Sequence, residues 1–305
     1  MNIKNSATAL TGSACLNSVE LEFRDAMQSF FGPLDWLPVG DGEIHRFHVA
    51  GDKPRTRNGW YVLYTDCIAG GAYGSWNRGK KNTWRIRKPA NLKEATLQLE
   101  RSRRIQRLQE AERQRSHQVA ATKAERLWEA SVPANPNHTY LITKRCDAYC
   151  LREQYGALLV PLYRDGELLN LQRIYPNGIK RFMPKGRIKG CYSPIGSPER
   201  DRPIYICEGW ATGATLYEET GTAVACAMNA GNLLAVGRQL QQEYPDSPLI
   251  IAGDDDRKTE GNPGRTAANK AAAALGCSLV FPPFPDDAPL ELSDFNDLAN
   301  WRAAQ

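Results

Sequence analysis

The sequence predicts an α/β domain at its C-terminal end, a parallel sheet flanked by helices. It is preceded by a basic α+β subdomain, a long helix and a small β-rich N-terminal module. Three observations carry this reading. Short, continuous apolar runs (Ile204-Tyr205-Ile206-Cys207 and Leu249-Ile250-Ile251-Ala252) break off abruptly in carboxylate and glycine, and continuous apolar runs of this length are the pattern of buried parallel strands. Strand-like and helix-like segments then alternate to the end of the chain, which implies right-handed parallel connections. Finally, the sign of the charge is segregated along the chain. Residues 78–126 hold fifteen Lys/Arg against five Asp/Glu, 131–200 hold eleven against five, and 201–305 reverse to seven against fifteen.

The elements follow in order, in four segments: 1–90, 91–132, 133–200 and 201–305. In the first, an amphipathic helix is expected near Ser18–Phe31, stopped by Gly32-Pro33. Residues 44–87 read as a small antiparallel sheet. Ile44–Val49 alternates in the strand manner, Trp60–Tyr64 is rich in β-formers, and Gly51-Asp52 and Asn58-Gly59 are turn signals. Gly74-x-x-x-x-Gly79-Lys80 falls short of a phosphate-binding loop, because Lys81 stands where a Ser or Thr should ligate Mg²⁺ and no buried strand precedes it. Residues 92–130 predict one long helix, sparse in apolar residues and dominated by Arg and Glu, with Glu100 and Arg104 spaced for local support. At about 1.5 Å per residue it would run nearly 60 Å, a strut with a basic face. Pro133 and Pro136 end it.

In the third segment a helix begins at His138, and Leu158–Tyr163 with Leu169–Tyr175 form a hairpin around Asp165-Gly166. Asn177-Gly178 is a second tight turn, and Pro184–Gly190 mixes glycines with spaced cations. Glycines let backbone amides approach phosphate, and Lys and Arg supply the charge. The last segment reads as a strand at Thr222–Ala227, a helix at Gly231–Glu243, a strand at Pro248–Gly253, a helix at Pro263–Leu275 and a strand at Cys277–Phe281.

Ligands bind beyond the carboxyl ends of the strands in open α/β sheets. Glu208, Asp254 and Asp256 are therefore expected together at one sheet edge. Carboxylates held that close raise one another's pKa unless a cation neutralises them, and all-oxygen ligands select Mg²⁺ or Mn²⁺ over zinc. Glu208-Gly209 after one strand and Asp254-x-Asp256-Arg257 after a later one resemble the Toprim domain of bacterial-type primases, topoisomerases and some nucleases. Asp294-Phe295-Asn296-Asp297-Leu298 resembles a third acidic element of the primases. The resemblance covers about 203–300, and the arrangement ahead of it is similar to primases of phages, plasmids and integrated elements.

The resemblance implies primer synthesis on single-stranded DNA by metal-dependent nucleotidyl transfer, for replication of a mobile element. Asp254 and Asp256 would hold Mg²⁺ or Mn²⁺, Asp294 or Asp297 would add a ligand, and Glu208 would be a ligand or a base. Primases often carry an acid four residues after that Glu, and Thr212 stands there instead. Arg173, Lys180, Arg181, Lys185, Arg187 and Lys189 would form a track for template and nucleotide phosphates. Arg257 would neutralise phosphate or brace the acidic loop. Arg101, Arg103, Arg104 and Arg107 offer a competing surface on the long helix. Nucleoside triphosphates and a separate replicative helicase are the further partners implied. A Toprim nuclease and a non-catalytic single-strand-binding Toprim protein are the alternatives.

Composition is consistent with this reading. The net charge of +5 conceals the segregation of sign, and a basic body beside an acidic pocket suits a protein that holds a phosphate backbone and delivers it to a metal site. No apolar stretch approaches the roughly 20 residues that span a bilayer, and the polar Met1–Ser18 lacks a signal-peptide core. Eight scattered cysteines fit a reduced, cytoplasmic protein. Cys146 and Cys150 have no second pair at zinc-finger spacing, and Cys207 and Cys226 read as small buried hydrophobes.

Overall fold

The structure is a computed structural model describing residues 11–66, 68–76 and 79–305, with the backbone alone for 11–17. The expectations for residues 1–10, for the side chains of 11–17, for Cys67 and for the charge of Arg78 lie outside the described residues. The chain forms two compact units, 1–112 and 113–305.

In the first unit, helix α1 (Thr11–Phe31) begins earlier than the sequence predicts. Val19, Phe23, Met27 and Phe31 recur every fourth residue and form its buried stripe. It covers one face of an antiparallel sheet of β1 (His45–Phe47), β2 (Gly59–Tyr64), β3 (Gly70–Ser75) and β4 (Lys80–Arg85), paired in that order. Phe23 is fully buried and meets Tyr61, Tyr73 and Trp84 edge-on, the arrangement aromatic quadrupoles favour. The other face carries Trp60, Val62, Tyr64 and Ala72, and Ile105 of helix α2 (Leu92–Glu129) packs on it. Arg104 does not pair with Glu100. It reaches Glu43 at 2.8 Å, because packing α2 on the sheet brings a tertiary carboxylate within reach. Gly74 and Lys80 fall in two strands of one hairpin, with Ser75 opposite Lys80, so this segment lacks the strand–loop–helix geometry of a phosphate loop.

The second unit holds two sheets. The first is antiparallel: β5 (Val132–Pro133), β6 (Arg152–Gln154), β7 (Ala157–Arg164), β8 (Glu167–Ile174) and β9 (Lys180–Phe182), with the short helix α3 (Thr139–Lys144) between β5 and β6. Alternation gives each face its own partners. Leu158, Val160, Leu162 and Ile174 join the core around Trp210, whereas Leu159 and Leu171 pack with Ala124, Leu127 and Trp128 from the end of α2.

The second sheet runs β10 (Ser193–Ile195), β12 (Val224–Cys226), β11 (Ile204–Cys207), β13 (Leu249–Ala252) and β14 (Ser278–Val280) in spatial order. The last four are mutually parallel, and β10 is an antiparallel edge supplied by residues ahead of 201. Ile204, Ile206 and Ile251 face helices α5 (Leu233–Glu243) and α6 (Pro263–Leu275). Cys207, Cys226 and Ala252 face helix α4 (Trp210–Thr220), which also packs on α7 (Phe295–Arg302). Helices thus cover both faces, as the continuous apolar strands require. Cys207 and Cys226 are fully buried apolar fillers. None of the described helices is long and apolar enough to cross a membrane.

Helix α4 lies close to the sheet because Gly213 has no side chain; a Cβ there would overlap the Cys226 sulfur. Gly213→Ala should therefore destabilise the second unit by roughly 1–3 kcal/mol, despite alanine's better helix propensity. Urea unfolding of the two proteins side by side checks this.

Candidate metal-assisted active site

The parallel register aligns Cys207 of β11 with Ala252 of β13. The residues that follow each strand, Glu208 and Gly253-Asp254, therefore leave the sheet side by side at its carboxyl edge. Asp256 continues the second turn and accepts the Gly264 N–H of α6 at 2.8 Å, where the helix N-terminus favours negative charge. Gly264 permits this approach, since a Cβ there would press on Asp254 and Asp256. Asp294 caps α7 by accepting the Asp297 N–H at 2.8 Å. The Asp255 N–H donates to the Ser293 carbonyl at 2.7 Å, which ties the third acidic element to the second.

These carboxylates destabilise one another's charge. Burial, then the charges of Glu208, Asp294 and Asp256, push Asp254 up to about 8. Burial, then Asp256, push Glu208 up to about 7, although the Ala230 N–H binds its carboxylate. Burial raises Asp294 as well, and the Thr212 hydroxyl hydrogen-bonds it. Oε1 of Glu208 and Oδ1 of Asp254 are buried without any hydrogen-bond partner. Buried carboxylate oxygens that share an acidic site and receive no donor fit a hard divalent cation. Among the described residues no three His, Cys, Asp or Glu side chains stand as a ready metal cage. An open set suits Mg²⁺, which keeps several waters and takes one or two carboxylates together with substrate phosphates.

The predicted cations separate. Lys180 is brought to the acids. Its ammonium lies over the Tyr140 ring, 5.5 Å from the centroid. Burial and the charge of Lys144 lower its pKa, and Asp294 and Asp254 oppose that shift. Arg173 and Arg181 sit directly opposite each other across β8 and β9. By strand alternation they occupy the other face from Lys180. Lys185, Arg187 and Lys189 lie on the loop after β9, which two buried amides hold. Asn170 donates to the Arg187 carbonyl at 3.1 Å. Asn232 donates to the carbonyls of Ile188, Cys191 and Ala227 and accepts the Gly190 N–H at 2.7 Å. Ala227 follows β12 at the same sheet edge as Glu208, so Asn232 links the basic loop to that edge. Arg257 braces the loop ahead of Asp294: it donates to the Pro289 carbonyl at 2.7 Å and stacks on Phe284 at 4.2 Å.

Four residues escape a reading of sequence alone. Lys144 pairs with Asp297 at 3.1 Å; its only signal is a lysine at the end of a short helix. Asp255, the unassigned middle of Asp254-x-Asp256, is held by Arg265 at 2.9 Å and Asn262 at 2.7 Å and anchors the turn. Asn170 and Asn232 give no sequence signal beyond their polarity within apolar runs.

Residues 203–304 match the family model described as Toprim domain. The chain is 34% identical over 281 residues to DNA primase TraC of Escherichia coli, covering 87% of this chain and 26% of that protein. A second DNA primase TraC of Escherichia coli is 32% identical over 274 residues, covering 86% of this chain and 19% of the other. The chain thus spans about a quarter or less of the length of these curated relatives. Among solved structures, the Aquifex aeolicus primase (zinc-binding and RNA polymerase domains) is 13% identical with a TM-score of 0.39, covering 91% of this chain and 81% of that one. The DnaG catalytic core is 17% identical with a TM-score of 0.34, covering 55% and 57%.

Two predictions follow from the site. Between the ordinary values of 3.8 and 4.5 and the raised values near 8 and 7, the folded site keeps protons that the unfolded chain releases. Unfolding is therefore favoured as pH rises. In EDTA, the melting temperature should fall from about pH 4 to pH 8. Asp254→Asn should flatten this fall, and Mg²⁺ should reverse it in the wild type; a flat wild-type profile would refute the carboxylate coupling. Separately, Asn232→Ala leaves buried carbonyls and an N–H unsatisfied. It should cost about 1–3 kcal/mol in chemical denaturation.

Proposed function

With residues 203–304 forming a Toprim domain, we propose that this chain is the catalytic portion of a DNA primase. It would join nucleotides into short primers on a single-stranded DNA template. One observation carries the reading: Glu208, Asp254, Asp256 and Asp294 converge at one sheet edge, with unpartnered buried oxygens on Glu208 and Asp254, in a chain 34% identical to a DNA primase. Service to a mobile element in the cytoplasm is part of the same proposal.

The chain's own residues divide the work. Asp254 and Asp256 would hold Mg²⁺ or Mn²⁺, with Glu208 beside them and Asp294 or Asp297 as a further ligand. A bound divalent ion supplies positive charge for the developing oxyanions and a lowered pKa for the attacking 3′-hydroxyl. Glu208 would accept that proton at Oε1. Lys180 and Lys144 set fixed positive charge beside the acids, where an incoming triphosphate needs it. Arg187, Lys185 and Lys189 present charge from the loop that Asn232 anchors, and Arg173 and Arg181 offer a separate basic face. The Gly74–Lys80 hairpin supplies no motor loop, so strand opening would fall to a separate helicase.

Incubating the protein with single-stranded template, labelled nucleoside triphosphates and Mg²⁺ or Mn²⁺ tests the reading. New oligonucleotides support it, a shortened template means a nuclease, and neither product means a binding protein. Asp254→Asn, Asp256→Asn and Glu208→Gln should each reduce synthesis by at least two orders of magnitude and leave template binding within about twofold. Wild-type turnover in any of them at limiting metal would remove that residue from the site.

A further inference from the structure

The first unit contains a cleft that the carboxylate site does not use. Along β4, alternation turns Lys81, Thr83 and Arg85 to one side. Their cross-strand partners on β3 are Gly74, Ala72 and Gly70. These small residues leave the space beside the β4 side chains unfilled. The result is a cleft of about 330 Å³ walled by β4 and the first half of α2. Lys81, Arg85 and Arg101 line it, and no carboxylate among the described residues does.

Two features point to an anionic ligand. Tyr64 is 9% exposed, lines the cleft, and its hydroxyl has no hydrogen-bond partner. A buried phenol without a partner is costly, and it is a donor. Arg101 holds the wall above it. The guanidinium lies 5.0 Å over the Tyr64 ring, donates to the Ile68 carbonyl at 2.8 Å and pairs with Asp66. Lys81 and Arg85 are exposed and form no ion pair among the described residues. Lysines on an edge strand often serve only to block edge pairing. That role does not require a small-residue floor or an unpartnered buried hydroxyl.

The cleft also continues. Tyr64 and Arg101 are shared with a larger depression along α2, where Arg103 and Arg107, neither ion-paired among the described residues, stand among Asp41, Asp66 and Glu100. From Leu97 to Ala111 this path runs about 20 Å along the helix, longer than a single phosphate or nucleotide needs.

We propose that this cleft, with its extension along α2, binds the phosphodiester backbone of single-stranded nucleic acid. The site is separate from the Toprim carboxylates and requires no metal. Lys81, Arg85 and Arg107 neutralise phosphates, and Tyr64 donates its hydroxyl to a phosphate oxygen.

The test measures binding of the full chain to a fluorescent oligothymidylate of about 20 nucleotides by anisotropy, in EDTA, across a salt series. The probe exceeds the ~4–16 nucleotides of a typical single-strand site. Each phosphate contact contributes about 0.7 to the salt slope, so Lys81→Ala with Arg85→Ala should lower the slope by about 1.4. Tyr64→Phe should weaken binding severalfold while the melting temperature holds or rises, and Arg85→Lys should keep the wild-type slope. Asp254→Asn should bind like the wild type, so a failure of primer synthesis leaves this result standing, and the reverse also holds. An unchanged slope and affinity in the double variant, with its melting curve intact, overturns the proposal. So does displacement of the oligonucleotide by thymidine triphosphate at equal phosphate concentration, which would mark a mononucleotide site.

Discussion

Mutual repulsion among buried carboxylates organises the second unit. Glu208 and Asp254 leave adjacent parallel strands at matching register, and Asp294 arrives from the cap of α7. None of these positions is comfortable for a charge: burial and like neighbours raise all three. A fold does not hold such groups together for stability. The surrounding contacts withstand the repulsion, and buried groups with perturbed pKa values of this kind cluster at functional sites.

The braces are neutral or paired, which keeps the site's own charges available. Asp255 spends its carboxylate on Arg265 and Asn262 and its N–H on Ser293. The two aspartates flanking it are thereby aimed without being neutralised. Arg257 turns away to carbonyls and the Phe284 ring. Asn232 carries the same logic to the basic loop: one amide makes four hydrogen bonds and joins the phosphate-binding candidates to the sheet edge. The Thr212 hydroxyl hydrogen-bonds Asp294 and helps keep the cap in place without adding charge.

The first unit follows a different principle. Its four-stranded sheet is covered by aromatic packing on one face and only partly covered on the other. Phe23 locks α1 to Tyr61, Tyr73 and Trp84, while glycine and alanine in β3 leave room beside α2. Rigidity on one face lets the opposite face remain open and basic without loss of order.

Much of this was legible from residues in a row. Buried parallel strands must be continuously apolar, so their abrupt ends at Glu208 and Asp254 located the sheet edge. Helix stops at Gly32-Pro33 and Pro133 and the turn residues around Asp165 and Asn177 act locally, so the elements appear where expected. Only the tertiary structure decided which side chains meet. Lys180 and Arg181 are neighbours in sequence, yet strand alternation places Lys180 beside the acids and Arg181 on the opposite face with Arg173. Lys144 lies far from Asp297 along the chain and pairs with it only because α3 packs on α7. Arg104 has a suitable partner four residues away and takes Glu43 instead. Backbone preference is set by each residue and its near neighbours, whereas charge pairing depends on distances that exist only after the chain has packed.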